Sequence, residues 1–188
     1  MYLYFFIFLM ADMAAGGGSQ SLRFVQEEIR FCLNGDTVQV EGIYKFYNPA
    51  SSSVRTTLSY PFPKTLPFPD SLIAIQMDRQ DTLSVIRKDH AVLFSLQVPE
   101  KQSARLFVRY LQPVPGRSFT YLLTTTGFWQ RPLETASYTL IIPHTVRLTS
   151  LTPDYDRVCE KEGNWIYVIE KSGFIPENDF NFTWEVVQ

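Results

Sequence analysis

Residues 29–46 read IRFCLNGDTVQVEGIYKF, and this stretch decides the fold. Ile29, Phe31 and Leu33 are apolar at every second position. Successive side chains of a β-strand point to opposite faces, so that spacing gathers all three on one side. Asn34-Gly35 follows, and both residue types tolerate positive φ, which a two-residue hairpin turn requires. Val38, Val40, Tyr44 and Phe46 then line one face of the returning strand, with Gln39, Glu41 and Lys45 on the other.

The same alternation runs outward from this hairpin. Asn48-Pro49 and Ser51 to Ser53 break it as a loop. Val54, Thr56, Leu58, Tyr60 and Phe62 resume it. Pro61 to Pro69 holds four prolines, which block helix and central-strand pairing and predict an extended crossover. Ile73 to Met77, Leu83 to Arg87, Val92 to Leu96, Leu106 to Tyr110 and Phe119 to Leu123 read as further strands, with residues 73–77 and 83–87 as a hairpin. Thr124 to Glu134 is irregular. Tyr138 to Ile142, Val146 to Leu148, Trp165 to Ile169 and Phe180 to Val186 return to the pattern. The result is all-β, an antiparallel β-sandwich of about eleven or twelve strands with turns about every 8–12 residues. No amphipathic helix longer than two turns and no βαβ alternation is present, which argues against a parallel α/β sheet. One domain over residues 22–188 is the simplest division.

Composition narrows the function classes. The 188 residues are 45% apolar and 19% charged, with net charge −2, so a core can be buried and a disordered chain is excluded. There is no basic surplus, which argues against nucleic acid as a partner. Aromatics reach 15%, while two His and two Cys leave little material for metal or nucleophile chemistry. Residues 2–10, YLYFFIFLM, are too short to span a bilayer as a helix and suit the hydrophobic part of an export signal within a leader of residues 1–21. No Lys or Arg precedes Arg23, a departure from that signal that an upstream truncation explains; a hydrophobic strand or leader of a cytosolic protein is the alternative. This leader is the only membrane contact the sequence suggests. The expected location is the periplasm or surface of a bacterium. In that setting Cys32 and Cys159 form a candidate disulfide, with two separate thiols as the alternative.

Residues 40–63 read VEGIYKFYNPASSSVRTTLSYPFP. Through Gly42, Tyr44, Phe46, Asn48, Tyr60, Pro61, Phe62 and Pro63 the segment resembles the opening of VIT-like (vault/inter-alpha-trypsin) domains and of secreted bacterial β-sandwich families. Tyr121, Trp129, Pro132, Tyr138 and Pro143, then Phe174, Pro176, Phe180 and Trp184, are similar to the bacterial group. The resemblance implies a sandwich fold and no activity, and no metal-ion-dependent adhesion domain follows. An Asn at a strand exit, as Asn48 is, can bond neighbouring backbone amides and fix a corner.

The sequence has no G-x-S-x-G elbow, H-E-x-x-H or Walker loop. His90 and His144 read as turn residues. Asp154, Asp156, Glu160, Glu162 and Asp179 are the raw material of a calcium site, although a solvated loop is the simpler reading. Asn181-Phe182-Thr183 fits a glycosylation sequon but falls in a strand. Phe128, Trp129, Gln130 and Arg131 form the candidate binding site, a stacking platform for a sugar or peptide, or else a plug over the open end of the core. The expected function is non-catalytic binding, without cofactor, of a protein partner or envelope component. A carbohydrate-binding module is the alternative, and so is a glycosidase-type role resting on carboxylates such as Glu134, Asp154 and Glu170.

Overall fold

A computed structural model describes residues 22–187; the leader, residues 1–21, and Gln188 lie outside the described residues. The first seven strands are β1 (Arg23–Asn34), β2 (Thr37–Tyr47), β3 (Val54–Pro61), β4 (Asp70–Gln76), β5 (Asp81–Thr82), β6 (Ile86–Lys88) and β7 (Ala91–Val98). The second seven are β8 (Ser103–Pro113), β9 (Ser118–Tyr121), β10 (Leu133–Pro143), β11 (Val146–Thr152), β12 (Arg157–Lys161), β13 (Asn164–Phe174) and β14 (Phe180–Val186). A 3₁₀ helix over Thr124–Trp129 interrupts them. No helix among the described residues is long and apolar enough to cross a membrane.

The chain is a β-sandwich with one large layer and one divided layer. Eight strands run in the order β12-β13-β10-β1-β2-β8-β4-β5. Two three-stranded sheets, β3-β7-β6 and β11-β14-β9, cover its inner face. Ile29, Phe31 and Leu33 of β1 stand opposite Gly42, Val40 and Val38 of β2, as the alternation predicts. Phe31 stacks on Phe180 of β14 at 4.2 Å between ring centroids and meets Phe119 of β9 edge-on at 5.6 Å. On the other side, Gln76 of β4 is buried, and its Nε2 donates to the Gln97 carbonyl of β7 at 2.6 Å. Residues 61–69 connect β3 in one sheet to β4 in the other, the crossover expected from their prolines.

The structure corrects four expectations. The sandwich is not wholly antiparallel, because β1 and β10 pair in parallel, with Ile29 opposite Tyr138 and Phe31 opposite Leu140. Alternation identifies a strand but not its neighbour's direction, which hairpin turns alone reveal and which these two distant strands lack. The hairpin expected over residues 73–87 is split, since β5 pairs with β4 while β6 pairs with β7 in another sheet. The strand count rises to fourteen because that split makes two strands, β5 and β6, of one, and because β12 carries five exposed residues and no alternation to read. Finally, Cys32 and Cys159 are free thiols. They lie on one row, Cys32–Ile141–Ile166–Cys159, three strand spacings apart. That is about 14 Å, far beyond the separation a disulfide bridges.

Candidate functional site

The divided inner layer leaves a junction where three sheets meet, and three tyrosines occupy it. Tyr44 comes from β2 of the large sheet, Tyr60 from β3 and Tyr121 from β9. Their hydroxyl oxygens form a closed triangle with sides of 2.8, 2.8 and 2.9 Å. Each hydroxyl can donate to one neighbour and accept from the other. Burial pushes all three phenols well above their ordinary range, so they stay neutral.

Tyr44 reaches the triangle because Gly42 lies under its ring. A Cβ on Gly42 would enter the Tyr44 side chain. Gly42→Ala is therefore expected to displace Tyr44 and cost about 1–3 kcal/mol, the range for overpacking a core. Urea unfolding of the variant checks this, and a midpoint equal to the parent's would show that the ring yields freely.

A buried acid stands beside the triangle. Glu27 of β1 is directly opposite Tyr44 and is only 3% exposed. Regular alternation with Ile29 turns it inward, and a bulge brings Phe24 beside it: the β1–β2 register shifts between Phe24 and Gln26, so Phe24 faces inward with Glu27 despite opposite parity. The Tyr138 hydroxyl of β10 donates to Glu27 Oε1. Burial pushes the carboxyl up to about 7, and the Tyr138 hydrogen bond opposes that shift only in part.

These groups line a cavity of about 260 Å³. Its apolar wall includes Phe24, Phe46 and Trp129, with Trp129 centred 5.8 Å from Phe24 and 5.4 Å from Phe46. The 3₁₀ helix forms its roof. Thr124 fixes the start of that helix by donating from its N–H and its hydroxyl to Asp179 Oδ1, at 3.0 and 2.7 Å. The lining reaches the surface at Phe128, which is 52% exposed, and at Gln130. Glu27 is the only acidic side chain in the lining, which contains no Lys, Arg or His among the described residues.

The binding residues expected from sequence are thus divided. Phe128, Trp129 and Gln130 belong to the cavity, with Trp129 turned inward and half-buried. Arg131 is exposed and outside the lining. The acidic residues of the calcium reading do not converge: Asp156 Oδ2 accepts from the Glu170 N–H at 2.7 Å, and Asp179 holds Thr124. No group of three or more ligating side chains occurs among the described residues. Glu170 forms an exposed two-point ion pair with Arg157 at 3.1 Å. Sequence reasoning missed Glu27, although a signal was present. Glu27 shares the odd-numbered, inward parity of Ile29, Phe31 and Leu33, and an acid on a core face marks a buried functional group.

Solved structures contain this fold. A "putative nutrient binding protein" from Legionella pneumophila superposes with a TM-score of 0.70 at 15% identity, over 87% of this chain and 66% of the other. An M1 zinc metallopeptidase from Deinococcus radiodurans gives 0.51 at 12% identity, over 88% of this chain and 43% of the enzyme. The chain shares their fold. It spans just under two thirds of the first protein and less than half of the second, and identities this low carry architecture alone. No family model matches the chain, and neither does any curated protein. No family is assigned, and nothing in these likenesses supports the VIT-like resemblance of residues 40–63.

Proposed function

We propose that the chain is a non-catalytic binding module that holds a small, largely apolar ligand in the cavity beneath Thr124–Trp129. The observation that carries this reading is a preformed cavity with an aromatic wall and a few convergent polar groups, the usual anatomy of a ligand site. The fold likeness to a protein described as nutrient-binding is consistent with it. An engineered apolar cavity of about 150 Å³ binds benzene, so 260 Å³ accommodates one ring with a short substituent. The inward turn of Trp129 argues against a flat sugar platform, since only Phe128 of the aromatic pair is presented outward. An enzymatic role finds less support, because the lining supplies one acid but no second carboxylate or activated nucleophile.

Titrating 2-phenylethanol into ¹⁵N-labelled protein tests the reading. The indole N–H signal of Trp129, assigned with Trp129→Phe, is expected to move while those of Trp165 and Trp184 stay. A silent Trp129 signal at millimolar probe would sink the proposal. Cellotriose binding that is lost in Trp129→Ala, with the cavity probe silent, would instead restore the carbohydrate reading.

A further inference from the structure

The polar end of the cavity specifies more than size, and the ligand chemistry it selects rests on the cavity-binding reading. With each hydroxyl of the triangle donating to the next around the ring, every O–H is used within it, and what the three oxygens can still offer is acceptor capacity. Tyr44, opposite Glu27 in the strand register, and Tyr121 lie within electrostatic reach of that carboxyl, whereas the Tyr60 ring packs edge-on against Tyr110 at 6.1 Å. Glu27, opposite Tyr44, adds carboxyl oxygens of which Tyr138 occupies one. This end therefore offers acceptors and one acidic group, and no cationic side chain of the lining answers them. Buried carboxyls are rarely left without a cationic partner. The other end offers the faces and edges of Phe24, Phe46 and Trp129.

We propose that the ligand is a primary amine on a single-ring or similarly sized apolar body, its ammonium group donating to Glu27 and to the Tyr44 and Tyr121 oxygens. A primary ammonium has three donors and no acceptor, which is the complement of this end. The aromatic wall tolerates a cation at its faces and covers the apolar body. An alcohol of the same shape brings one donor and no charge. A carboxylate would face Glu27 with like charge.

The test compares 2-phenylethylamine, 2-phenylethanol and phenylacetate on the full chain at about pH 8, read by the Trp129 indole signal. The amine is expected to bind at least about ten-fold more tightly than the alcohol, as a charge-assisted hydrogen bond provides. Phenylacetate is expected to bind more weakly than either. Glu27→Gln should erase the amine's advantage over the alcohol, both affinities being read in that same variant, and unmoved Trp165 and Trp184 indole signals show that it is folded. If the alcohol binds as well as the amine, or if the preference survives in Glu27→Gln, the amine assignment is overturned while the cavity reading stands. If none of the three reaches Trp129, both fall.

Discussion

Glu27→Gln is expected to stabilise the protein at pH 8 by about 3 kcal/mol relative to its effect at pH 4. The folded chain holds the Glu27 carboxyl near 7, against about 4.5 for an unburied glutamate, and burial is the main cause. Below about pH 4.5 the group is protonated in both states and does not discriminate between them. Between 4.5 and 7 the unfolded chain releases its proton while the folded chain keeps it, so each step of pH favours unfolding. The stability present at low pH is lost as pH rises through 7, and two and a half units correspond to about 3 kcal/mol. Tyr44, Tyr121 and Tyr138 face the carboxyl, but burial raises all of them far above this window and they remain neutral. The glutamine of the variant has no proton to lose, and its carbonyl can still accept from Tyr138. Urea unfolding of both proteins at pH 4, 6 and 8 gives the comparison. Two parallel curves with a constant offset would show that Glu27 does not titrate in this range.

Asn48→Ala is expected to cost about 3 kcal/mol at every pH. Asn48 is fully buried just beyond β2. Its Nδ2 donates to the carbonyls of Ser52, Val98 and Pro99 at 2.8, 3.1 and 3.1 Å, and its Oδ1 accepts from the Ala50 N–H at 3.0 Å. One amide thereby closes the 49–53 loop and ties the exit of β2 in the large sheet to the end of β7 in a small one. Ala leaves these buried backbone groups without that partner, and each such loss costs about 1 kcal/mol or more. Asn48→Asp should be worse than Ala, because it aims a carboxylate at three carbonyl oxygens. Thermal and urea unfolding of the two variants checks the order. An Asp variant as stable as the parent would show that water, not Asn48, satisfies this corner.

Much of this architecture was legible in the sequence. The inward positions of β1 and β2, a tight turn using the positive φ of Gly35, the proline crossover and the corner role of Asn48 each follow from a local property: side-chain parity, a tolerated φ, a missing N–H, an amide able to bond nearby backbone. The turn itself falls one residue later than Asn34-Gly35, at Gly35-Asp36, because Asn34 still pairs with Thr37 and does not take positive φ. The unread parts have equally local reasons. β12 lies at a sheet edge with both faces open, so it carries no apolar rhythm. β5 and β6 sit close in sequence but join different sheets, and nothing within the segment says so. For the site, sequence alone singled out Phe128, Trp129 and Gln130 as aromatic and polar residues outside any strand. It did not show that Trp129 turns in while Phe128 turns out, because that depends on Phe24 and Phe46 beneath the 3₁₀ helix.

By itself, then, the sequence determined that the chain forms short strands, which face of most of them is apolar, and where the main turns fall. These depend on neighbours two to four residues apart. Only the tertiary structure decided that β1 and β10 run in parallel, that Cys32 and Cys159 stay apart, and that the inner layer is divided in two. It also brought Tyr44, Tyr121 and Tyr138 around Glu27, with Tyr60 closing the hydroxyl triangle. Each of those tyrosines reads as an ordinary core position along its own strand. Their chemistry arises where separate sheets meet, from contacts between residues as far as 111 positions apart. The energy of such a junction lies in burial and hydrogen bonds between strands distant in sequence, which no local period records.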